Sequence, residues 1–387
     1  MKASTNQPSR GQKKQTRNSS IKGSVLIIGT GLLGASVGLA LSRQGVQVYL
    51  FDASPTVEAI AQDIGAGSSL RALAYGQDIY ACLPAEPELV IVAAPPDVTA
   101  QLVIEQLERW KSSIVLDIAS VKAAILAQVQ QSAADSSRYL GTHPMAGREK
   151  SGPVAARAEL FTSRPFVICQ HEQASERALK LAQRLGLELG SIISYLDAAE
   201  HDQAVALISH LPQVLSSLLA ARLQQTPLEA LALAGQGLRD TVRIAGSDPA
   251  LWIQILAANA SPVVEALYGV RHDLNRLIST LENPAAQGAR LDIAQLLSAG
   301  KAGVDRIPGK HGGPPAAFAS LTVLVDDSPG TLARLLQEIG QLGVNLEDLR
   351  LEHSPGQPVG MAEIAVDPSE YEQLIADLTE AGWKVVR

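Results

Sequence analysis

The chain has 387 residues, 46% of them hydrophobic, and a formal net charge of −7 at pH 7, which is enough material for two or three globular domains. The acidic balance argues against nucleic acid as a partner, and the apolar runs look too short to span a bilayer, so we expect no membrane partner either. The two cysteines, Cys82 and Cys169, have neither a metal-ligand spacing nor the pattern of a disulfide framework, which is typical of a protein of the reducing cytoplasm.

Residues 1 to 22 carry basic side chains and no acidic ones, among Ser, Asn and Gln. They lack the apolar centre of a secretory signal. We interpret them as a disordered tail, with an organelle transit peptide as the alternative.

The segment after this tail has the order strand, tight turn, helix. Residues 25 to 28 are apolar, GTGLLG follows at 29 to 34, and a helical pattern occupies 35 to 43. Glycines at such spacing allow the turn, the approach of a pyrophosphate and close packing of helix on strand. The predicted cofactor contacts in this turn are Gly29, Thr30, Gly31, Leu32, Leu33 and Gly34.

A second predicted strand, residues 46 to 51, ends in Asp52, 18 residues beyond Gly34. A carboxylate there is expected to accept the ribose hydroxyls of a dinucleotide and to repel a 2′-phosphate. Because residues 53 to 56 contain no arginine, the sequence favours NAD over NADP. The alternative for Asp52 is a helix N-cap or turn aspartate.

Two further apolar runs, residues 89 to 93 and 114 to 118, are typical of parallel strands covered on both faces. The first leads into Ala94, Pro95 and Pro96, which we expect to lie over the cofactor. The second leads to Ser120, which could also be the N-cap of a helix over 121 to 131.

Residues 141 to 152, GTHPMAGREKSG, place His143 in a predicted loop bounded by glycines. By itself a His-Pro pair beside glycine is more often a simple turn. Helical patterns then run from 197 to about 300. Their wide apolar faces predict helices that bury one another and a second subunit.

The string GLRDTVRIAGSDPALW, residues 237 to 252, lies inside this helical segment. Asp240 and Arg243 have the spacing of a surface ion pair on a helix, and Trp252 could be a core anchor. After it, residues 300 to 317 have a glycine- and proline-rich linker composition. Predicted strands at 321–325, 344–352, 361–366 and 383–386 and helices at 331–342 and 368–381 then form a βαββαβ unit.

These motifs together resemble the prephenate and arogenate dehydrogenases of tyrosine biosynthesis. Their His-Pro-x-x-Gly loop, their Asp-x-x-Ser-x-Lys segment and their Asp-x-x-Arg-x-x-x-Ser-Asp-Pro-x-x-Trp string match this chain around His143, Ser120 and Arg243. The resemblance implies that His143 is the catalytic base and that Ser120 lies beside the substrate hydroxyl. It further implies NAD as cofactor and Arg243 as the partner of a substrate carboxylate. The other implied substrate contacts are Arg148, Glu149, His210, Gln213, Asp240 and Trp252.

Two positions depart from the family pattern. Gln213 stands where some prephenate dehydrogenases carry a second histidine, and Arg148 stands where others have a small residue. Both departures leave the choice between prephenate and arogenate open. His201 and Asp202, in contrast, match the family.

The C-terminal unit resembles an ACT domain, a small regulatory module that binds amino acids. Asp326, Pro329, Gly330 and Asn345 match its binding motif, which implies tyrosine as the effector. The alternative is a ferredoxin-like domain that serves only in dimerisation.

The predicted fold is therefore an α/β Rossmann-like domain (23–196), an all-α dimerisation domain (197–299), a linker (300–317) and a C-terminal α+β ACT-like domain (318–387). We expect a cytoplasmic homodimer that acts on a small-molecule substrate, prephenate. A β-hydroxyacid dehydrogenase is an alternative, although it normally uses a lysine base. An NAD-sensing regulatory protein is a non-enzymatic one, which the filled His143, Ser120 and Arg243 positions disfavour.

Overall fold

A computed structural model of the chain describes residues 19–74, 79–132, 134–147, 150–309, 318–353 and 359–386. The chain forms two compact units, Met1–Gly269 and Val270–Arg387. The first unit begins with alternating strands and helices, which are β1 (Val25–Ile28), α1 (Leu32–Arg43), β2 (Val48–Phe51), α2 (Pro55–Asp63), β3 (Ser68–Ser69), α3 (Leu70–Ala74), β4 (Leu89–Val92), α4 (Pro96–Arg109), β5 (Ile114–Asp117), α5 (Ala123–Gln131), β6 (Tyr139–Pro144), β7 (Pro165–Cys169), α6 (Glu176–Glu188) and β8 (Ile192–Leu196).

Helices alone follow β8. They are α7 (Ala198–Val205), a π-helical turn (Ala206–His210), α8 (Leu211–Arg222), α9 (Leu228–Leu231), α10 (Gln236–Val242), a 3₁₀ turn (Arg243–Gly246), α11 (Pro249–Ala258), α12 (Ala260–Glu282) and α13 (Ala289–Val304). The chain ends with β9 (Ala319–Asp326), α14 (Thr331–Gln341), β10 (Asp348–His353), β11 (Val359–Val366), α15 (Tyr371–Glu380) and β12 (Lys384–Val386).

The eight-stranded sheet has the order β3-β2-β1-β4-β5-β6-β7-β8. Every residue of β1, β4 and β5 is buried, because α1 and α6 cover one face of the sheet and α4 and α5 the other. The predicted two-sided burial is confirmed. The strand order reverses between β1 and β4, which is where open α/β sheets bind ligands at the carboxyl ends of their strands.

His143 does not lie in a loop, as the glycines around it predicted, but in β6. This strand runs parallel to β5 and pairs antiparallel with β7, so that His143 lies opposite Val167. The prediction was wrong because the flanking glycines suggested a turn, whereas residues 139–141 pair with β5 and residues 141–144 pair with β7. His143 therefore stands on a rigid element at the carboxyl end of β6.

The predicted disordered tail is too long by at least four residues. Ile21 is buried, and Ser19 and Ser20 donate hydrogen bonds to the carboxylate of Glu188 in α6. The backbone N–H groups of Lys22 and Gly23 are held by Glu88. Apolar burial of one isoleucine and these polar contacts order the segment that precedes β1.

The all-helical prediction for 197 onward is confirmed through α13. The continuous helix Ala198–Gln225 is long and apolar enough, by length and composition, to cross a membrane, which corrects the expectation from the sequence. This is weak support for a membrane span, because apolar helices of protein cores and interfaces pass the same test. The helix also carries the buried polar side chains of His201, Asp202 and His210.

The second unit contains an antiparallel four-stranded sheet of order β10-β11-β9-β12. With α14 and α15 it has the predicted order βαββαβ, around a core of Leu, Ile, Val and Trp383. The linker prediction is wrong for residues 300–304, which complete α13. Gly300 and Gly303 reduce helix stability by about 1 kcal/mol each, too little to end it. Residues 310–317 of that predicted linker lie outside the described residues.

Candidate active site

Three glycines shape the turn between β1 and α1. Gly29 has a φ of +92°, and a Cβ there would lie 2.4 Å from the backbone oxygen of Ala93, so only glycine fits. A Cβ on Gly34 would lie 1.9 Å from the backbone oxygen of Gly29. At Gly31, in contrast, no described atom beyond its chain neighbours lies within 4 Å of a Cβ position. This open space at the amino end of α1 fits the pyrophosphate of a dinucleotide.

Asp52 is tied to the same turn. Its Oδ2 accepts hydrogen bonds from the Thr30 backbone N–H at 2.6 Å and the Thr30 hydroxyl at 3.1 Å, and its Oδ1 accepts one from Ser54 N–H at 2.9 Å. The N-cap alternative for Asp52 is wrong, because Ser54 caps α2. The turn alternative is correct, and it fixes the carboxylate beside the glycine turn, where a ribose would lie.

Ala94 and Pro95 join β4 to α4 at the neighbouring carboxyl end, and Pro96 is the first residue of α4. The Thr99 hydroxyl holds this loop by donating to the backbone oxygens of Ala94 at 3.0 Å and Pro95 at 2.8 Å. Because β4 pairs directly with β1, the loop stands next to the glycine turn. The fold therefore brings the predicted cofactor residues to one edge of the sheet.

His143 is the first member of a chain of hydrogen-bonded side chains. Its Nδ1 lies 2.8 Å from Nε2 of His201, and Nδ1 of His201 lies 2.8 Å from Oδ1 of Asp202. His201 is fully buried and Asp202 is 4% exposed. Both come from α7, so the first helix after the sheet carries the groups that orient a side chain of β6.

The hydrogen bonds from His143 through His201 to Asp202 fix the tautomer of His143. A carboxylate can only accept, so Nδ1 of His201 carries a proton and donates it to Asp202. In neutral His201 the Nε2 lone pair then accepts from Nδ1–H of His143. The free Nε2 of His143 is left unprotonated, which is the state that a general base requires.

Asp202 also caps α5. Its Oδ1 and Oδ2 accept hydrogen bonds from the backbone N–H groups of Lys122 and Ala123, both at 2.8 Å. The helix therefore begins at Ala123 and not at 121, and the N-cap alternative for Ser120 is wrong. Ser120 lies half-buried in the bend between β5 and α5. It does not cap α5, because Asp202 binds the N-terminus of that helix.

A buried ion pair lies beneath this bend. Lys122 Nζ binds Asp117 Oδ1, and the Tyr139 hydroxyl donates to Asp117 Oδ2 at 2.7 Å. Lys122 and Asp117 are 1% and 0% exposed. Burial of the imidazole, followed by the nearby His201, Lys122 and His210, lowers the pKa of His143 well below its ordinary value. His143 is thus neutral at neutral pH, as a base must be.

His210 and Gln213, two predicted substrate contacts, are buried on the same helical run as His201. The Asn259 amide nitrogen donates to the Asp202 backbone oxygen at 2.8 Å and lies 3.0 Å from Nδ1 of His210. Because that nitrogen donates, Nδ1 of His210 accepts and its Nε2 carries the proton. Trp252 packs edge-on against the His210 ring, with 6.0 Å between centroids. The structure thus brings His143, His210 and Trp252 into one region.

Arg243 and Asp240 lie on the exposed surface of the single chain. Asp240 accepts a hydrogen bond from Gln236 at 2.8 Å, and the 3₁₀ turn that carries Arg243 packs against α8. Two other predicted contacts, Arg148 and Glu149, lie outside the described residues.

Sequence reasoning missed the orienting groups of the site. His201 and Asp202 were noted only as matches, and Lys122 and Asn259 were given no role. An adjacent His-Asp pair at the start of an apolar helix was the one available signal, since buried charges in such a helix need a function. His201 contacts His143, which is 58 residues away in the sequence, and Asp202 contacts Lys122, which is 80 residues away. A pattern within a short stretch of sequence does not reveal such pairs.

The buried histidines predict loss of stability in acid. Burial, opposed by Asp202 and helped by His201, lowers the pKa of His210 to about 4. An unfolded histidine titrates near 6.5, so between these values the unfolded chain binds more protons, and the free energy of unfolding falls as pH falls. We expect His210 to contribute a loss of about 3 kcal/mol by about pH 4.

Urea unfolding of wild type and His210→Asn across this pH window measures the effect. Asparagine can still accept at the Nδ1 position but does not titrate. We expect a shallower pH slope in the variant, and equal slopes would show that folding does not lower the pKa of His210.

Comparisons with known proteins match the chain to one protein family. A model described as "Prephenate dehydrogenase, nucleotide-binding domain" matches residues 37–195, and one described as "Prephenate dehydrogenase, dimerization domain" matches 197–295. The chain is 35% identical over 365 residues to the probable prephenate dehydrogenase NovF of Streptomyces niveus, covering 92% of this chain and 98% of that protein. It is 28% identical over 367 residues to the prephenate dehydrogenase of Lactococcus lactis, with the same coverage.

Solved structures are similar over a shorter part of the chain. The Aquifex aeolicus prephenate dehydrogenase in complex with hydroxyphenyl propionate and NAD⁺ has a TM-score of 0.63 at 25% identity, covering 73% of this chain and 98% of that one. The arogenate dehydrogenase of Synechocystis has a TM-score of 0.58 at 26% identity, covering 72% and 99%.

Proposed function

The chain belongs to the prephenate dehydrogenase family of NAD-dependent oxidoreductases, and we propose that its own reaction is the oxidative decarboxylation of prephenate to 4-hydroxyphenylpyruvate. The hydrogen-bonded chain from Asp202 through His201 to His143 is the observation that carries this proposal. It presents one unprotonated nitrogen at the sheet edge that also holds the glycine turn. Arogenate is the second candidate substrate.

His143 Nε2 takes the proton of the substrate C4 hydroxyl, so that the oxygen becomes a carbonyl as the C4–H bond breaks. NAD⁺, held at the glycine turn and Asp52, would supply the hydride acceptor. The resulting ketone loses its C1 carboxylate as carbon dioxide, and the electrons of the broken C–C bond complete an aromatic ring, whose C4 oxygen takes the proton back from His143. The positive charge gained by His143 is shared with His201 and balanced by Asp202. Ser120 holds the hydroxyl oxygen in line with Nε2.

One assay of NADH formation tests the substrate. Purified protein with NAD⁺ should turn over prephenate with a higher kcat/KM than arogenate. A higher value for arogenate would assign the enzyme to that substrate instead, and no turnover of either would refute the proposed function.

Arg243 is proposed to bind the ring carboxylate of the substrate. The planar guanidinium suits a bidentate pair with a carboxylate. We expect Arg243→Ala to cost about 2 to 3 kcal/mol of binding, roughly 30- to 150-fold in KM, with a smaller change in kcat. Arg239→Ala, an exposed arginine of the same helical segment, is the matched control and should leave KM unchanged. Unchanged KM and kcat in Arg243→Ala would make Arg243 a structural residue.

A homodimer is proposed for the functional state. Several large apolar side chains of the helical segment are about half exposed or more in the single chain, which is the signature of a subunit interface. They include Leu207, Ile208, Leu218, Ile253 and Tyr268. We place the enzyme in the cytoplasm, where tyrosine biosynthesis supplies its substrate.

The C-terminal βαββαβ unit is proposed to be an ACT domain that binds tyrosine. Asp326 ends β9, and Pro329 and Gly330 form the exposed turn into α14, where Gly330 has a φ of +91°. Asn345 lies exposed before β10, with its amide 2.6 Å from Glu347. The strand register puts Asp326, Pro329 and Gly330 at one end of the small sheet and Asn345 at the other, since Asp326 pairs with Val359 and Asp348 with Ala365. One amino acid could contact both sets only between paired copies of this unit.

Tyrosine should inhibit the enzyme through this unit. Coupling of the usual size, about 1 to 3 kcal/mol, would raise KM for prephenate roughly 5- to 150-fold. Titrating tyrosine into wild type, Asn345→Ala and the control Asp348→Ala tests this, because only the first substitution should abolish inhibition. Equal inhibition in all three would place the inhibitor in the active site, and none in wild type would leave the unit with another ligand or with dimerisation alone.

A further inference from the structure

An arginine that the sequence argument overlooked lies beside Asp52. The preference for NAD was derived from the lack of arginine in residues 53 to 56, but the fold brings Arg71 to the same place from α3. Its Nη2 donates to the Asp52 backbone oxygen at 2.8 Å, and its guanidinium lies 5.0 Å from the centre of the Phe51 ring. An arginine near this carboxylate is what NADP-binding folds use to hold the 2′-phosphate. Because Arg71 is present, the lack of arginine in residues 53 to 56 does not explain a preference for NAD, and another reason is required.

Glu58, in the first turn of α2, holds this arginine. Its side chain is 0% exposed, and Oε2 accepts from Arg71 Nε at 3.1 Å. The same carboxylate accepts from the backbone N–H groups of Asp52 at 3.0 Å and Arg71 at 3.1 Å, and from the Ser69 hydroxyl at 2.6 Å. Both oxygens are thus saturated, and the carboxylate joins the end of β2 to β3 and α3.

Glu58, which is fixed in place, compensates the charge of Arg71. A buried carboxylate with four donors is held in place, because losing any partner would leave buried polar groups unsatisfied. Arg71, whose side chain is 36% exposed, would have to leave Glu58 to reach a 2′-phosphate, and the phosphate would meet two carboxylates there.

We propose that Glu58 is a specificity-determining residue, which favours NAD over NADP by holding the Arg71 guanidinium in an ion pair. The inference rests on the proposed placement of the cofactor ribose at Asp52. Under this inference two features determine the choice of cofactor. One is the Asp52 carboxylate at the ribose, and the other is the Glu58–Arg71 ion pair behind it. Glu58 touches no reacting atom and acts through Arg71 and Asp52.

Glu58→Gln tests the pair. Glutamine keeps the size and one acceptor oxygen but removes the charge that holds Arg71. Dissociation constants of NADH and NADPH, measured by fluorescence without prephenate, should show NADPH gaining at least about tenfold relative to NADH, or about 1.4 kcal/mol. Asp63→Asn, an exposed acid at the end of the same helix, is the control for charge alone and should leave the ratio unchanged.

The double variant Glu58→Gln/Arg71→Gln separates the guanidinium from the loss of a negative charge. The gain in NADPH affinity should disappear in it, and a gain that persists would overturn the proposal. An unchanged ratio in folded Glu58→Gln would do the same. Arg71→Gln alone should leave NADPH affinity unaltered, because the held guanidinium contributes nothing to it. A loss of affinity there would contradict the proposal even if Glu58→Gln did not fold.

Failure of the proposed function gives a different result. It would appear as absent turnover of prephenate and arogenate, whereas the specificity of the pair is read from binding of the two dinucleotides.

Discussion

His143→Asn is expected to lower kcat with prephenate by about 10² to 10⁴, the usual effect of losing a general base. Asparagine is a suitable substitution at this position, because it separates the hydrogen bond to His201 from the function of the base. Its amide nitrogen can replace Nδ1 as the donor to Nε2 of His201, which in the wild type lies 2.8 Å away, while nothing replaces the base at Nε2. The orienting network should therefore survive and only the chemistry should be lost.

The rate of NADH formation at saturating prephenate measures this effect. NADH affinity should stay within about twofold of wild type, since the glycine turn and Asp52 are not touched. A variant that keeps more than about a tenth of the wild-type rate would remove His143 from the role of base.

Local signals explain what the sequence could predict about the fold. Strand, glycine turn and helix follow one another within residues 25 to 43, so pattern and turn chemistry were sufficient there. The βαββαβ order at the C-terminus was equally readable, because each element is short and bounded by its own turn. The glycines around His143 misled the prediction, since the partner strand β7 lies beyond the local window.

The site could be predicted only as a set of separate residues. The family motifs predicted roles for His143 and Ser120, and the spacing after the glycine turn predicted one for Asp52, but neither signal showed which side chains hold His143 or Asp52. His201 reaches His143, Asp202 caps α5 and Arg71 reaches Asp52 only because helices and strands pack in a specific register. Orientation, tautomer and charge compensation come from these tertiary contacts.

Asp202→Asn is the second substitution with a large expected effect. In the proposed reaction the protonated His143 would share its charge with His201, and the Asp202 carboxylate, 2.8 Å from Nδ1 of His201, would stabilise that charge. Asparagine keeps one oxygen for His201 but removes the charge. We expect kcat to fall about 10²- to 10³-fold, as when one preorganised electrostatic contact is lost.

The pH profile decides whether this effect is electrostatic. A carboxylate favours the protonated form of the histidine pair, so its removal lowers the pKa of the base. The acid limb of the kcat profile should therefore move to lower pH while the plateau falls. Loss of the α5 cap alone would reduce stability without moving the limb.

Asp197→Ala is the matched control for the Asp202 substitution. Asp197 is the exposed N-cap of α7 and part of a capping box with Glu200. It meets His201 through its backbone oxygen, which accepts the His201 N–H at 2.9 Å and is kept in Asp197→Ala. Its loss should cost about 1 kcal/mol of stability while the plateau and the acid limb stay where they are. If Asp202→Asn behaved in the same way, with stability reduced and the limb unmoved, Asp202 would be a helix cap and nothing more. A shifted limb in Asp202→Asn alone would mean that the enzyme tunes its base through a carboxylate two side chains away from the substrate.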